Sequence, residues 1–176
     1  LASLLLAQGD LRAARPLFER ALAIREAALG PRHPEVATSL NSLARLLTDQ
    51  GDLRAARPLY ERALAICEAA LGPRHPRVAL SLGNLASLLL AQGDLRAALP
   101  LYERALAIRE TALGPRHPDL AQSLNNLASL LQDQGDLRAA RPLFERALYI
   151  REAALGPRHA EVAQPHQQSA RAGEIL

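Results

Sequence analysis

Apolar residues recur along this chain at spacings of three and four, the spacing that places side chains on one face of an α-helix. After His75-Pro76 the apolar positions are Val78, Leu82, Leu85, Ala86 and Leu89. After Gly93-Asp94 they are Leu95, Ala98, Leu101, Tyr102, Ala105, Leu106 and Ile108. Proline suits the first position of a helix because no donor is needed there, and glycine takes the left-handed conformation that ends one. The pattern therefore predicts two helices joined by a tight turn, an antiparallel helical hairpin.

The hairpin pattern repeats with a period of 42 residues, in copies that start at Gly9, Gly51, Gly93 and Gly135. The first three copies align without a gap, and any two of them differ at nine positions. A fixed period of this length is typical of a solenoid, in which each unit buries its apolar face only by stacking on its neighbours. We therefore predict an all-α solenoid of antiparallel hairpins, which presents a long surface rather than a closed pocket.

The repeat also predicts the element and domain boundaries. The expected helices are 11–29, 35–49, 53–71, 77–91, 95–113, 119–133 and 137–155, with half a helix before them. The expected solenoid covers 1–159, as a partial repeat 1–34 and repeats 35–76, 77–118 and 119–159. The apolar stripe is lost after His159, so 160–176 is expected to be a degenerate capping segment or a disordered tail. Leu1–Gln8 repeats Leu85–Gln92 residue for residue, from which we expect the chain to be a fragment that begins inside a helix.

Each second helix carries a proline about six residues from its start. These prolines are Pro16, Pro58, Pro100 and Pro142. An interior proline costs ~3 kcal/mol in a helix. So near the N-terminus it removes only one or two backbone hydrogen bonds, so we expect each helix to continue with a slight bend.

The small and apolar positions of one unit carry a family resemblance. They are Leu85, Ala86, Leu89, Gly93, Ala98, Tyr102 and Ala105. This pattern resembles the tetratricopeptide repeat, and the 42-residue period with Leu-Gly-Pro-Arg-His-Pro is similar to the kinesin light chain subtype. The resemblance covers 1–159 and implies a right-handed superhelix. Since many roles are built on this repeat, the resemblance is specific for fold and weak for function.

Differences between the copies trace one face of the first helix in each hairpin, at spacings of three and four. In the family this face lines the concave groove where extended peptides bind, and its groove asparagines correspond to Asn84 and Asn126. The resemblance thus implies a peptide-binding stripe of Thr38, Asn41, Ser42, Arg45, Asp49, Leu80, Asn84, Ser87, Gln122, Asn125, Asn126, Ser129 and Asp133. Asparagine amides supply both donor and acceptor to a peptide backbone. Drift of unrestrained exposed positions after duplication is the alternative explanation of the same pattern.

Charge and composition exclude several partner classes. All 21 basic residues are arginine, the net charge is +3, and acids and bases are interleaved, so neither a nucleic acid nor a membrane partner is indicated. Arg45 is the only arginine expected well inside the groove, which argues against a clamp for acidic peptides. Cys67 replaces the Arg25, Arg109 and Arg151 of the other copies, and we expect it to be exposed and unpaired. The lack of a disulfide framework fits a reducing, cytoplasmic setting.

Candidate chemistry is sparse. His33, His75, His117 and His159 recur once per unit, but repeats stack on the order of 10 Å apart, which is too far for shared zinc ligands that lie near ~2 Å from the metal. We expect these histidines to cap helices, with no metal and no cofactor bound. The loop arginines beside them could contact phosphate, but no aromatic residues are interleaved for base stacking. No common catalytic motif occurs, so we expect no enzyme activity.

Two functional hypotheses remain, and both concern binding. The first is a non-catalytic scaffold that holds a protein or peptide segment of low charge in its groove. The alternative is a regulatory or sensor segment of a larger signalling protein, a nucleotide-dependent switch or a protease, whose catalytic domain lies outside this chain. A further partner option is weak end-to-end self-association through apolar surface at the ends of the array.

Overall fold

The computed structural model describes residues 10–155, all of whose regular structure is α-helical. The seven helices are α1 (Leu11–Leu29), α2 (Pro34–Asp49), α3 (Leu53–Leu71), α4 (Pro76–Ala91), α5 (Leu95–Leu113), α6 (Asp119–Asp133) and α7 (Leu137–Leu155). The predicted boundaries are confirmed, except that α2 and α4 begin one residue earlier, at the proline itself. The expected half helix before α1 and the segment 160–176 lie outside the described residues.

The turn inside each hairpin follows from its Gln-Gly-Asp sequence. Gly51 has φ of 82°, a conformation that L side chains rarely adopt, and it reverses the chain after α2. The backbone N–H of Asp52 then donates to the carbonyl of Leu47 at 2.8 Å. The Asp52 carboxylate accepts from the N–H of Ala55 at 3.0 Å, which caps α3. The equivalent aspartates 10, 94 and 136 cap their helices in the same way.

The loop histidines are helix caps. Nδ1 of His33, His75 and His117 accepts the N–H of the residue two positions on, at 3.1, 3.1 and 3.2 Å. These bonds satisfy one of the N–H groups that the first turn of a helix leaves without a partner. The capping prediction is confirmed for these three, while His159 lies outside the described part of the chain.

The interior prolines do not interrupt their helices. Pro16, Pro58, Pro100 and Pro142 each lie inside a continuous 19-residue helix. The prediction is confirmed because each proline lies only six positions into its helix, where few backbone bonds depend on its missing donor.

The first compact unit contains α1 to α5, up to Ala112. Helices consecutive in sequence pack on one another from α1 to α4, and α2 also contacts α4. The core combines residues from four helices: Val36, Ala37 and Leu40, Ala63, Ile66 and Cys67, Val78, Ala79 and Leu82, and Ala105 and Ile108. These are the apolar positions that the helical spacing marked. The predicted packing residues Leu85, Ala86 and Leu89 are buried as well.

The second compact unit begins at Leu113, and its described helices are α6 and α7, which pack together. Buried residues on α6 include Leu120, Leu124 and Leu127, and Ala147 and Ile150 are buried on α7. The same apolar spacing is therefore used in both units.

Candidate functional site

An open groove of about 500 Å³ lies in the first unit, along the faces of α2 and α4 that differ between copies. Its lining residues are Phe18, Thr38, Asn41, Ser42, Arg45, Asp49, Cys67, Arg77, Leu80 and Asn84. Seven of these belong to the stripe that was predicted from the sequence: Thr38, Asn41, Ser42, Arg45, Asp49, Leu80 and Asn84. We call this surface the first-unit groove.

Helical spacing explains why these side chains face the groove. In α2 the positions between them, such as Leu40, Leu43 and Leu47, are buried in the core, which leaves the intervening face outward. In α4 the same alternation leaves Leu80 half exposed, at 50%. The groove therefore combines amides and hydroxyls with one accessible apolar side chain.

Asn41 joins the two groove-lining helices. Its Nδ2 donates to Oγ of Ser81 on α4 at 3.1 Å, and the Ser81 hydroxyl donates to Sγ of Cys67 at 3.8 Å. Oδ1 of Asn41 is buried and has no hydrogen-bond partner. A buried carbonyl oxygen without a donor costs free energy, so this amide is only partly satisfied.

The groove also holds a charge pair that the sequence reasoning missed. Arg77, at the start of α4, donates from Nη2 to Oε1 of Glu35 on α2 at 2.6 Å. The hydrogen bond from Arg77 and its charge hold the pKa of the Glu35 carboxyl below its ordinary value. The two residues occupy the same repeat position, 42 residues apart, so their opposite charges were the available signal.

Two other charged groove residues make no such pair. No ion pair among the described residues includes Arg45 or Asp49. The lining thus offers one cation and one anion, beside an arginine that Glu35 already neutralises.

The expectation that Cys67 is exposed is wrong. Its side chain is only 2% exposed, in the core between α3 and α4, and it also lines the floor of the groove. The equivalent position accepts arginine in other copies because a long side chain carries its charge outward past the neighbouring helix. The short cysteine side chain ends where the arginine stem would begin, and so it stays buried as a free thiol.

The aromatic position of the repeat is used in two ways. Tyr60 and Tyr102 are buried, as predicted, and burial raises the pKa of both hydroxyls. Phe18, at the equivalent position of α1, is half-buried and lines the groove. Sequence reasoning placed Phe18 in the core and so missed it as a groove residue.

Ser87 does not line the first-unit groove. Its hydroxyl lies 2.7 Å from the Tyr102 hydroxyl and donates to the carbonyl of Gly83 at 2.9 Å. These contacts tie Ser87 to its own hairpin.

The remaining predicted site residues lie on α6, in the second unit. They are Gln122, Asn125, Asn126, Ser129 and Asp133. Gln122 donates from Nε2 to Oδ1 of Asn126 at 2.7 Å. With its amide oriented so that Oδ1 faces α7, Asn125 accepts from Arg151 Nη2 at 2.8 Å and from Nη1 at 3.2 Å. The second unit thus carries polar stripe residues of its own.

The described residues offer no obvious reaction chemistry. Among residues 10–155, no three His, Cys, Asp or Glu side chains gather as a metal site requires. Every helix in that range is too short or too polar to cross a bilayer. What the groove offers is a set of hydrogen-bonding groups and apolar contacts, which suits binding.

The sequence model for the tetratricopeptide repeat matches four overlapping stretches of this chain, residues 1–69, 43–111, 78–153 and 119–172. Similar solved structures include BtubC (BKLC) from P. vanneervenii, which is 32% identical with a TM-score of 0.80. That match covers 89% of this chain and 62% of BtubC, so the chain spans less than two thirds of BtubC's length. No curated protein sequence matches the chain.

Two crystal structures of a kinesin light chain-like protein of Podosopora anserina, with nearly identical TPR-like repeats, are also similar. They are 30% and 31% identical, with TM-scores of 0.74 and 0.70. They cover 88% and 86% of this chain, and the matches span 73% and 72% of those chains. These similarities confirm the resemblance found in the sequence and the solenoid class of the fold.

Proposed function

This chain belongs to the tetratricopeptide repeat family, and we propose that it is a non-catalytic scaffold that binds an extended peptide or protein segment. Repeats of this family generally serve as protein-interaction scaffolds. The observation that carries the proposal is the first-unit groove, which gathers seven predicted stripe residues around one open volume of about 500 Å³.

The chemistry of the lining fits a peptide main chain. Asn84, Ser42 and Thr38 offer donors and acceptors within one surface, and a peptide backbone presents both kinds of group at each residue. Leu80 adds an accessible apolar contact for a ligand side chain. We therefore propose an extended segment of low net charge, held through its backbone and sorted by Leu80, Arg45 and Asp49.

Affinity from such a groove is modest. Each amide-to-backbone hydrogen bond contributes only ~0.5–1.5 kcal/mol net, because water competes for the same groups. A few of these bonds with limited apolar burial correspond to micromolar dissociation constants, since 1 μM requires about 8 kcal/mol.

A peptide-array screen with this 176-residue chain, followed by titration of the peptides that bind, tests the proposal. Asn84→Ala should weaken binding several-fold, because it removes a donor and an acceptor from the groove without touching the core. The matched control is Arg57→Ala on α3, whose side chain is exposed and pairs only with Glu61 at 2.8 Å.

The control variant should bind as the parent does. The result that would sink the groove as the binding site is retention of affinity in Asn84→Ala together with loss in an Arg74→Ala, Arg116→Ala double variant. Binding would then belong to the loop arginines.

A further inference from the structure

One position of the repeat differs in a way that changes the floor of the groove. Cys67 stands where the other copies have Arg25, Arg109 and Arg151. The contacts of Arg25 and Arg151 show what a guanidinium does at this position.

The first contact reaches forward by 14 residues. Arg25 on α1 donates from Nη1 to Oγ of Ser39 on α2. Ser81 is the residue 14 positions after Cys67, and it lies on α4 as Ser39 lies on α2.

The second contact reaches back by 26 residues. Arg151 on α7 donates through Nη2 and Nη1 to Oδ1 of Asn125 on α6, at 2.8 and 3.2 Å. Asn41 is the residue 26 positions before Cys67, and it lies on α2 as Asn125 lies on α6. An arginine at position 67 would have both partners, Ser81 ahead and Asn41 behind.

Cysteine supplies neither donor. Ser81 turns its hydroxyl to the thiol at 3.8 Å, and Oδ1 of Asn41 is left buried without a partner. Both Asn41 and Cys67 line the first-unit groove. The acceptor that an arginine satisfies in the second unit is therefore unsatisfied beside an open groove in the first.

The charges around this place admit a cation. Arg77 is neutralised by Glu35, and Asp49 balances Arg45 along the lining, so the charged groups of the groove cancel. Replacing arginine by cysteine has also removed one positive charge from the floor.

We propose that the floor of the first-unit groove at Asn41, Cys67 and Ser81 is a subsite for an arginine side chain of the bound peptide. This rests on the groove function proposed above and names one residue of its ligand. The ligand's guanidinium takes the part that Arg151 plays toward Asn125, donating to Asn41 Oδ1. Because that oxygen lies beneath the surface, the Asn41 side chain turns on binding, which its broad terminal torsion permits.

Arginine suits this subsite better than lysine. Its planar group carries five donors in a fixed fork, so one guanidinium can bond Asn41 and Ser81 together. An ammonium is more strongly hydrated and loses more on leaving water. The ligand is then a peptide of low charge with an arginine at one defined position.

The test uses three small probes at millimolar concentration: the N-acetyl, N-methylamide derivatives of arginine, lysine and norleucine. Binding to the ¹⁵N-labelled chain is followed by NMR through the side-chain amide signals of Asn41. The arginine probe should shift these signals with a Kd at least ten-fold below that of the norleucine probe, a difference of ~1.4 kcal/mol. Equal affinities, or no shift at Asn41, would overturn the proposal.

Two variants complete the test. Cys67→Arg restores the residue of the other copies, and should raise the thermal midpoint and abolish binding of the arginine probe by occupying the subsite. Cys67→Ser keeps the site open, and should bind the probe as the parent does. Unchanged probe binding in a folded Cys67→Arg variant would overturn the proposal.

The arginine subsite and the peptide groove can fail separately. Array peptides that bind the groove without preferring arginine would sink the subsite alone. Probe binding at Asn41 in a chain that binds no array peptide would support the subsite and sink the groove proposal.

Discussion

Two faces of the same helices have diverged to different extents. The packing face of α2 consists of Leu40, Leu43, Ala44 and Leu47, and α4 repeats these residues unchanged as Leu82, Leu85, Ala86 and Leu89. All eight are buried. On the groove face, Thr38, Asn41, Ser42, Arg45 and Asp49 become Leu80, Gly83, Asn84, Ser87 and Ala91.

The difference separates stability from recognition. In a stacked array the energy comes from burying each unit against its neighbours, so the packing face tolerates little change. The groove face contributes little to that burial and is open to change. A single replacement there, such as arginine by cysteine at position 67, alters what the surface can bind.

The largest expected effect comes from the packing face. Leu85→Ala should lower the free energy of unfolding by about 2–5 kcal/mol, because it removes a buried side chain and leaves a cavity. Its neighbour Asn84→Ala, on the groove face, should change stability by no more than about 0.5 kcal/mol. Urea melts of both variants measure this, and equal losses would mean that the two faces are wrongly assigned.

The packing face was the part that sequence reasoning predicted well. Apolar spacing, the Gly-Asp turns and the loop prolines act locally, so the helix boundaries and the buried residues Val78, Leu82 and Leu85 follow from the chain itself. Much of the groove lining followed too, since the changed positions share one helical face.

Contacts between repeats were harder to predict. The Arg77–Glu35 pair joins residues 42 positions apart, and their distance depends on how the helices stack. Cys67 was misjudged because its exposure was read from the arginines it replaces, whose long side chains reach the surface from a buried position. Side-chain length, rather than helical spacing, decides burial there.

A smaller effect is expected from the Arg77–Glu35 pair on the groove face. The folded pKa of Glu35 is lowered, so its contribution to stability is present above the ordinary glutamate pKa, near ~4.3, and is lost as the pH falls through the folded value. Glu35→Gln should therefore lower the thermal midpoint slightly at pH 7 and leave it unchanged near pH 3. A difference that persists at the lower pH would show that the effect comes from packing.

The most direct test of the central claim is to map where a bound peptide contacts the chain. With an array-selected peptide at saturation, NMR shift changes should concentrate at Thr38, Ser42, Leu80 and Asn84, on the groove face of α2 and α4. The exposed outer residues of α3, such as Arg57 and Glu61, should stay unchanged. Shifts confined to the outer face or to the loop arginines, with the groove residues silent, would contradict the account.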